Sequence, residues 1–122
     1  MSSGPVIILG QTDPRVMMEA SLTHMFTKVL GNLSALSQPQ PQLLASVQEM
    51  QATRNAVNSA TVSSTVTPAA LGTLMDHYKA ACKKAHELAV ATQDPDLVGS
   101  VRCLVEFSDG IDKNYPRAEL SH

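Results

Sequence analysis

The chain reads as an all-α protein, a four-helix bundle of antiparallel helices with a short extended N-terminal arm. Three observations predict this architecture. Apolar residues recur at three- and four-residue spacing through four separate stretches. Each stretch is set off by proline, at Asp13-Pro14, Pro39 to Pro41, Thr67-Pro68 and Asp94-Pro95, where the ring removes a backbone donor and resists continuation of a helix. The connectors are a few residues long, which makes consecutive helices antiparallel neighbours. The expected layout is an arm over residues 1–12, a single helical domain over 13–111 and a polar tail over 112–122, with no internal repeat evident.

In the arm, Val6, Ile7, Ile8 and Leu9 lie between Gly4-Pro5 and Gly10, a bounded apolar run that reads as extended. It either packs across the bundle or adds as a strand to the sheet edge of another chain. Four apolar residues left in water are a liability, which favours packing. The first helix is expected from Asp13-Pro14 to about Leu36, with Met18, Leu22, Met25, Phe26, Val29, Leu33 and Leu36 as its stripe and Glu19, Thr23 and Lys28 among the polar positions. Met17 and Met18 are candidates for an adaptable contact surface, because an unbranched thioether repacks against varied partners. Core filling is the plainer reading of methionines spaced with Leu and Phe.

The alternating prolines of Ser37 to Gln42 favour an extended turn, after which a second helix is expected over Leu43 to Ala60. Its stripe of Leu43, Val47, Met50, Val57 and Thr61 is interrupted by Arg54. A guanidinium there either pairs with a carboxylate or lays its stem along the seam and keeps its head wet, and the rarity of fully buried arginine favours the second. Arg54 is therefore a candidate contact residue. Thr61 to Val66 is β-branched and hydroxyl-rich, most simply a loop, although pairing with Val6 to Leu9 as a ribbon is an alternative.

The third helix, Pro68 to Gln93, carries the longest unbroken pattern: Leu71, Leu74, Met75, Tyr78, Ala81, Cys82, Ala85, Leu88, Ala89 and Thr92 on one side, Asp76, Lys79, Lys83, Lys84 and Glu87 on the other. Thr67 supplies an N-cap oxygen and Pro68 suits the first helical position. Alanines at 81, 85 and 89 allow a neighbouring helix to come close. Asp94-Pro95-Asp96 ends this helix and begins a fourth, expected to stop near Gly110, whose Leu97, Val98, Val101, Leu104, Val105 and Phe107 imply burial on more than one side.

Composition narrows the function classes. At 122 residues and 43% hydrophobic content the chain can bury a core without disulfides or metal, whereas its charged fraction of 16% is low beside the usual value of about 25%. A net charge of −2, with Lys79, Lys83 and Lys84 as the basic cluster, gives no concentrated basic face for nucleic acid or an anionic membrane. No apolar run approaches the ~18 residues of a membrane span. Cys82 and Cys103, both at positions read as helical core, form no Cys-x-x-Cys pair, and a reducing, intracellular and cytoplasmic setting is the expectation.

Catalytic and cofactor motifs are absent from the sequence: no phosphate-cradling glycine loop, no His-Glu-x-x-His, no nucleophile elbow. His77 and His86 point to opposite sides of one helix. Cys82 and His86, one turn apart, have ligand-like spacing and would need further donors such as Cys103 and His24 to hold a metal. The sequence thus predicts a non-catalytic protein–protein interaction module, an adaptor, chaperone or assembly subunit that engages a protein partner or a second copy through Val6 to Leu9, Met17, Met18 and Arg54, with no cofactor. The competing reading is a metal-binding or enzymatic bundle centred on Cys82 and His86.

Overall fold

The computed structural model describes residues 14–61, 63 and 65–115. It is a four-helix bundle: α1 Pro14–Ser34, α2 Pro41–Thr61, α3 Pro68–Thr92 and α4 Pro95–Asn114, with no strand among the described residues. The apolar run Val6 to Leu9 lies outside those residues. Ser63, Thr65 and Val66 are non-helical and belong to the connector between α2 and α3.

Every helix begins on a proline, and the four prolines are evenly spaced along the chain. Proline at the first helical position surrenders an amide that has no intrahelical acceptor, and its fixed φ is already helical. The Thr67 hydroxyl accepts the Ala70 amide at 3.1 Å, and Asp94 accepts the Asp96 amide at 2.9 Å, so both later helices are capped as their sequences require. Between α3 and α4 the reversal is tight. Gln93 takes a left-handed conformation, φ 61°, and donates its amide to the Val90 carbonyl.

The helices run alternately up and down. Arg15, at the start of α1, contacts Asp112 and the Tyr115 carbonyl at the end of α4, while Glu19 contacts Arg54 and Asn58 near the end of α2. Packing closes a ring in which α2 and α3 approach most intimately and α1 touches α2 and α4. The core is Leu22, Phe26 and Leu33 of α1; Leu43, Val47, Met50 and Val57 of α2; Tyr78, Ala81, Cys82, Ala85 and Ala89 of α3; and Leu97, Val101, Leu104 and Ile111 of α4. Buried alanines on α3 leave room for the close α2 backbone, the reason this pair is the tightest. In α2 and α4 the buried side chains also fall in one register from their prolines: Leu43 with Leu97, Val47 with Val101, Met50 with Leu104 and Val57 with Ile111.

Three expectations change. Gly110 does not end α4, which runs on to Asn114, because Ile111 is buried and Asp112 enters an ionic cluster; this anchoring outweighs the helix penalty of about 1 kcal/mol for a glycine. Residues 112–114 are therefore helix rather than tail. Cys103 is exposed, since the face of α4 that enters the core is Leu97, Val101, Leu104, Ser108 and Ile111. Burial on α4 is correspondingly one-sided, with Val98, Val105 and Phe107 only half-buried. Among the described residues no helix is long and apolar enough to cross a membrane.

Candidate functional site

Two features of the lower half of the bundle, where α1 and α3 start and α2 and α4 end, carry its unusual chemistry: a buried ionic cluster, and beside it a groove between α3 and α4.

The cluster centres on Arg54, which is 2% exposed. Its guanidinium grips two carboxylates in forked fashion. Nη2 and Nε donate to Glu19 Oε2 and Oε1 at 2.6 and 3.2 Å, while Nη1 and Nη2 donate to Asp112 Oδ2 and Oδ1, each at 3.0 Å. Arg15 Nη2 donates to Glu19 at 2.9 Å and to Asp112 at 2.8 Å, and Asn58 donates to Glu19 at 2.9 Å. Below the guanidinium, the Tyr78 ring lies 5.2 Å from the Arg54 carbon. Two cations balance two anions, and all four helices contribute.

Arg54 is therefore not a boundary residue with its head in water. The alternative weighed for it, pairing with carboxylates, is the one observed. Burial works against its charge, but the hydrogen bonds and charges of Glu19 and Asp112 outweigh that and hold the guanidinium protonated. The partners were legible in principle. Glu19 precedes Leu22 by three residues and Phe26 by seven, and Asp112 follows Ser108 by four, so both sit on buried stripes of their helices.

The groove has a volume of about 550 Å³, within the usual range for binding sites of roughly 300–1,000 Å³. Val57, Met75, Tyr78, Cys82 and Val105 form its apolar floor. Lys79, Lys83 and His86 line its α3 wall; Arg102, Glu106 and Asp109 line its α4 wall; Arg54 and Asp112 close the lower end. Helical spacing dictates the walls, since residues 79, 83 and 86, like 102, 106 and 109, recur every three or four positions along one side of a helix. Lys79, Lys83, Glu106 and Asp109 are exposed, and none forms an ion pair with another described residue. A second depression, between α2 and α3, is floored by Ala45, Ser46, Ala80 and Ala81 and offers Leu88 as its one large apolar side chain.

The Tyr78 hydroxyl is buried with no hydrogen-bond partner among the described residues. Cys82 and Ser108 lie close enough to bias its ionisation, yet Ser108 donates to the Val105 carbonyl and neither group bonds the phenol. Burial, reinforced by the neighbouring Cys82, raises the phenol well above its ordinary range. An unpartnered buried hydroxyl costs about 1–3 kcal/mol. Tyr78→Phe, which keeps the ring under Arg54, is accordingly expected to leave stability unchanged or raise it by about 1 kcal/mol in urea denaturation. A loss above about 1 kcal/mol would mean that the hydroxyl is bonded in solution.

Of the other residues singled out from sequence, Met17 is 56% exposed near the start of α1, beside Val16, while Met18 is half-buried against the core. Cys82 and His86 share the groove, but His24 and Cys103 are exposed elsewhere on α1 and α4. Among the described residues no three His, Cys, Asp or Glu side chains gather as a metal site would require. Burial also pushes the Cys82 thiol up, the opposite of what activates a nucleophile. At pH 8, iodoacetamide is expected to alkylate Cys103 within minutes and Cys82 at least tenfold more slowly, as read by peptide mass analysis. Comparable rates would mean that the groove opens readily down to its floor.

The neutral Cys82 thiol and Tyr78 phenol also set the sign of a pH effect. Both have folded-state values above their unfolded ones, so their contribution is complete below about 8.5 and 10 respectively and is lost as pH rises from there toward the folded values. Stability should be level from these groups up to about pH 8 and fall above it.

Fold and site together define a helical bundle with an open, apolar, charge-walled cleft. Compared with known proteins, the chain matches no family model, no curated protein and no solved structure.

Proposed function

We propose that the protein is a non-catalytic protein–protein interaction module whose recognition site is the groove between α3 and α4. The observation that carries this reading is the pairing of an apolar floor with charged walls that satisfy no ion pair of their own. Four ionisable groups that could have closed the cleft over Val57, Met75 and Val105 leave it open. A partner that buries the floor gains apolar contact, and the walls then set which partners fit. Met75 on the floor is a suitable contact, because its flexible thioether adapts to varied shapes.

An adaptor, chaperone or assembly role follows this mode of action better than catalysis does. No activated nucleophile faces the groove, and Arg54 is held by two carboxylates rather than aimed at a substrate. The reading is tested by affinity capture from the native source with the wild-type chain and with Val105→Glu, which places a carboxylate on a half-buried floor position. Loss of the captured protein from the variant, with helical circular dichroism and the melting transition retained, is the expected result. Retention of the same partner by a folded Val105→Glu chain would contradict it.

A further inference from the structure

The groove's walls also specify the partner's chemistry. Resting on the reading above, we propose that the occupant is an amphipathic helix of two to three turns, apolar on the face it buries and carrying acidic residues on one flank and basic residues on the other.

Every residue lining the groove lies within a helix, so apart from the carbonyl of Asp112 in the last turn of α4 its amide and carbonyl groups are already spent on intrahelical bonds. The walls offer no open edge to which an extended peptide could add as a strand. A peptide entering an apolar cleft must therefore satisfy its own backbone, and a helix does so. Dimensions agree, because Lys79 to His86 spans roughly 10 Å of α3, the length over which a helix presents anchors at positions i, i+3 or i+4, and i+7. Ridges spaced by three and four residues on the guest also match grooves of the same spacing on α3 and α4.

Charge complementarity fixes the flanks. Lys79 and Lys83 make the α3 wall basic, and Glu106 and Asp109 make the lower α4 wall acidic. A guest with acid beside the first pair and base beside the second neutralises both walls at once. A guest with like charge on both flanks meets repulsion on one wall whichever way it lies. A simple exchange of flanks is answered by reversing the helix direction, so the informative comparison is mixed flanks against uniform ones.

Three fluorescent helical peptides with one shared leucine face test this, their flanks being one acidic and one basic, both acidic, or both basic. By fluorescence anisotropy against the full chain, the mixed-flank peptide is expected to bind about tenfold tighter than either uniform one. In Lys79→Glu/Lys83→Glu, two exposed positions whose reversal makes both walls acidic, the both-basic peptide should become the tightest. Affinities that ignore flank charge, or a ranking unchanged by the wall reversal, overturn the proposal. So does dodecanoate binding to the groove without measurable binding of any peptide. If Val105→Glu abolishes native partner capture while the peptides bind indiscriminately, the groove stands as the contact site and the helical guest does not. If Val105→Glu keeps its partner as well, both fall.

Discussion

Replacing Arg54 with alanine is expected to lower the unfolding free energy by about 3–5 kcal/mol, the cost of breaking a buried ion pair by removing one partner. The guanidinium side chain is 3% exposed and holds Glu19, whose side chain is 15% exposed, by two of its nitrogens. Without it, Glu19 keeps Arg15 and Asn58 but loses its forked partner in a poorly solvated position. Asp112 suffers less, because its side chain is 35% exposed and water can replace part of what it loses. Arg54→Lys should recover only part of the loss, since one ammonium cannot present the paired donors that engage two carboxylates. The discriminating variant removes charge from both sides. Arg54→Met and Arg15→Met combined with Glu19→Leu and Asp112→Leu should regain most of the lost stability, because no charge is left stranded and a well-packed apolar replacement of a whole buried ionic cluster is often neutral or better. Urea denaturation of the four proteins decides the matter. An alanine variant within about 1 kcal/mol of wild type would place Arg54 in water after all.

Phe26→Ala should cost a similar amount, about 3–5 kcal/mol, for a different reason. Phe26 is 1% exposed and is the bulkiest of the fully buried side chains, so truncation removes its transfer energy and leaves a void that the surrounding helices fill only in part. Met17→Ala on the same helix is the matched control. With 56% of Met17 exposed, its loss should change stability by less than about 0.5 kcal/mol. A shifted midpoint with an unchanged denaturant slope is expected for Phe26→Ala, since a cavity does not alter the surface exposed on unfolding. If Met17→Ala proved the costlier of the two, the buried face of α1 would be misassigned.

The sequence specified helices well because each carries two independent signals that agree. The stripe of α3 returns as the buried residues Tyr78, Ala81, Cys82, Ala85 and Ala89, and its expected N-cap Thr67 bonds as a cap should. Where one local signal stood alone it misled. Gly110 read as a stop because glycine favours the residue after a helix, but that preference yields to the tertiary anchoring of Ile111 and Asp112. Placing the helix end too early moved Asp112 into a tail and hid one of the two carboxylates that Arg54 needs. Glu19 was hidden differently, by the habit of assigning a charge to the outer face although its spacing from Leu22 and Phe26 put it on the inner one.

The groove was not legible at all. Lys79 and Lys83 read as a solvated face, as their exposure agrees, and nothing in one helix's pattern tells which residue of another stands opposite. The antiparallel pairing of α3 with α4 brings Glu106 and Asp109 to the other wall of the same cleft, and that is a property of packing rather than of either segment.

Site-specific photo-crosslinking locates the contact surface most directly. p-Benzoylphenylalanine is placed singly at Lys83 or Glu106, on the groove walls, and at His24, exposed on α1 away from the cleft, and each protein is irradiated in an extract of the native source. A common protein adduct is expected from positions 83 and 106, and none from position 24. An adduct from position 24 with none from either wall would contradict the assignment of the contact surface to the groove.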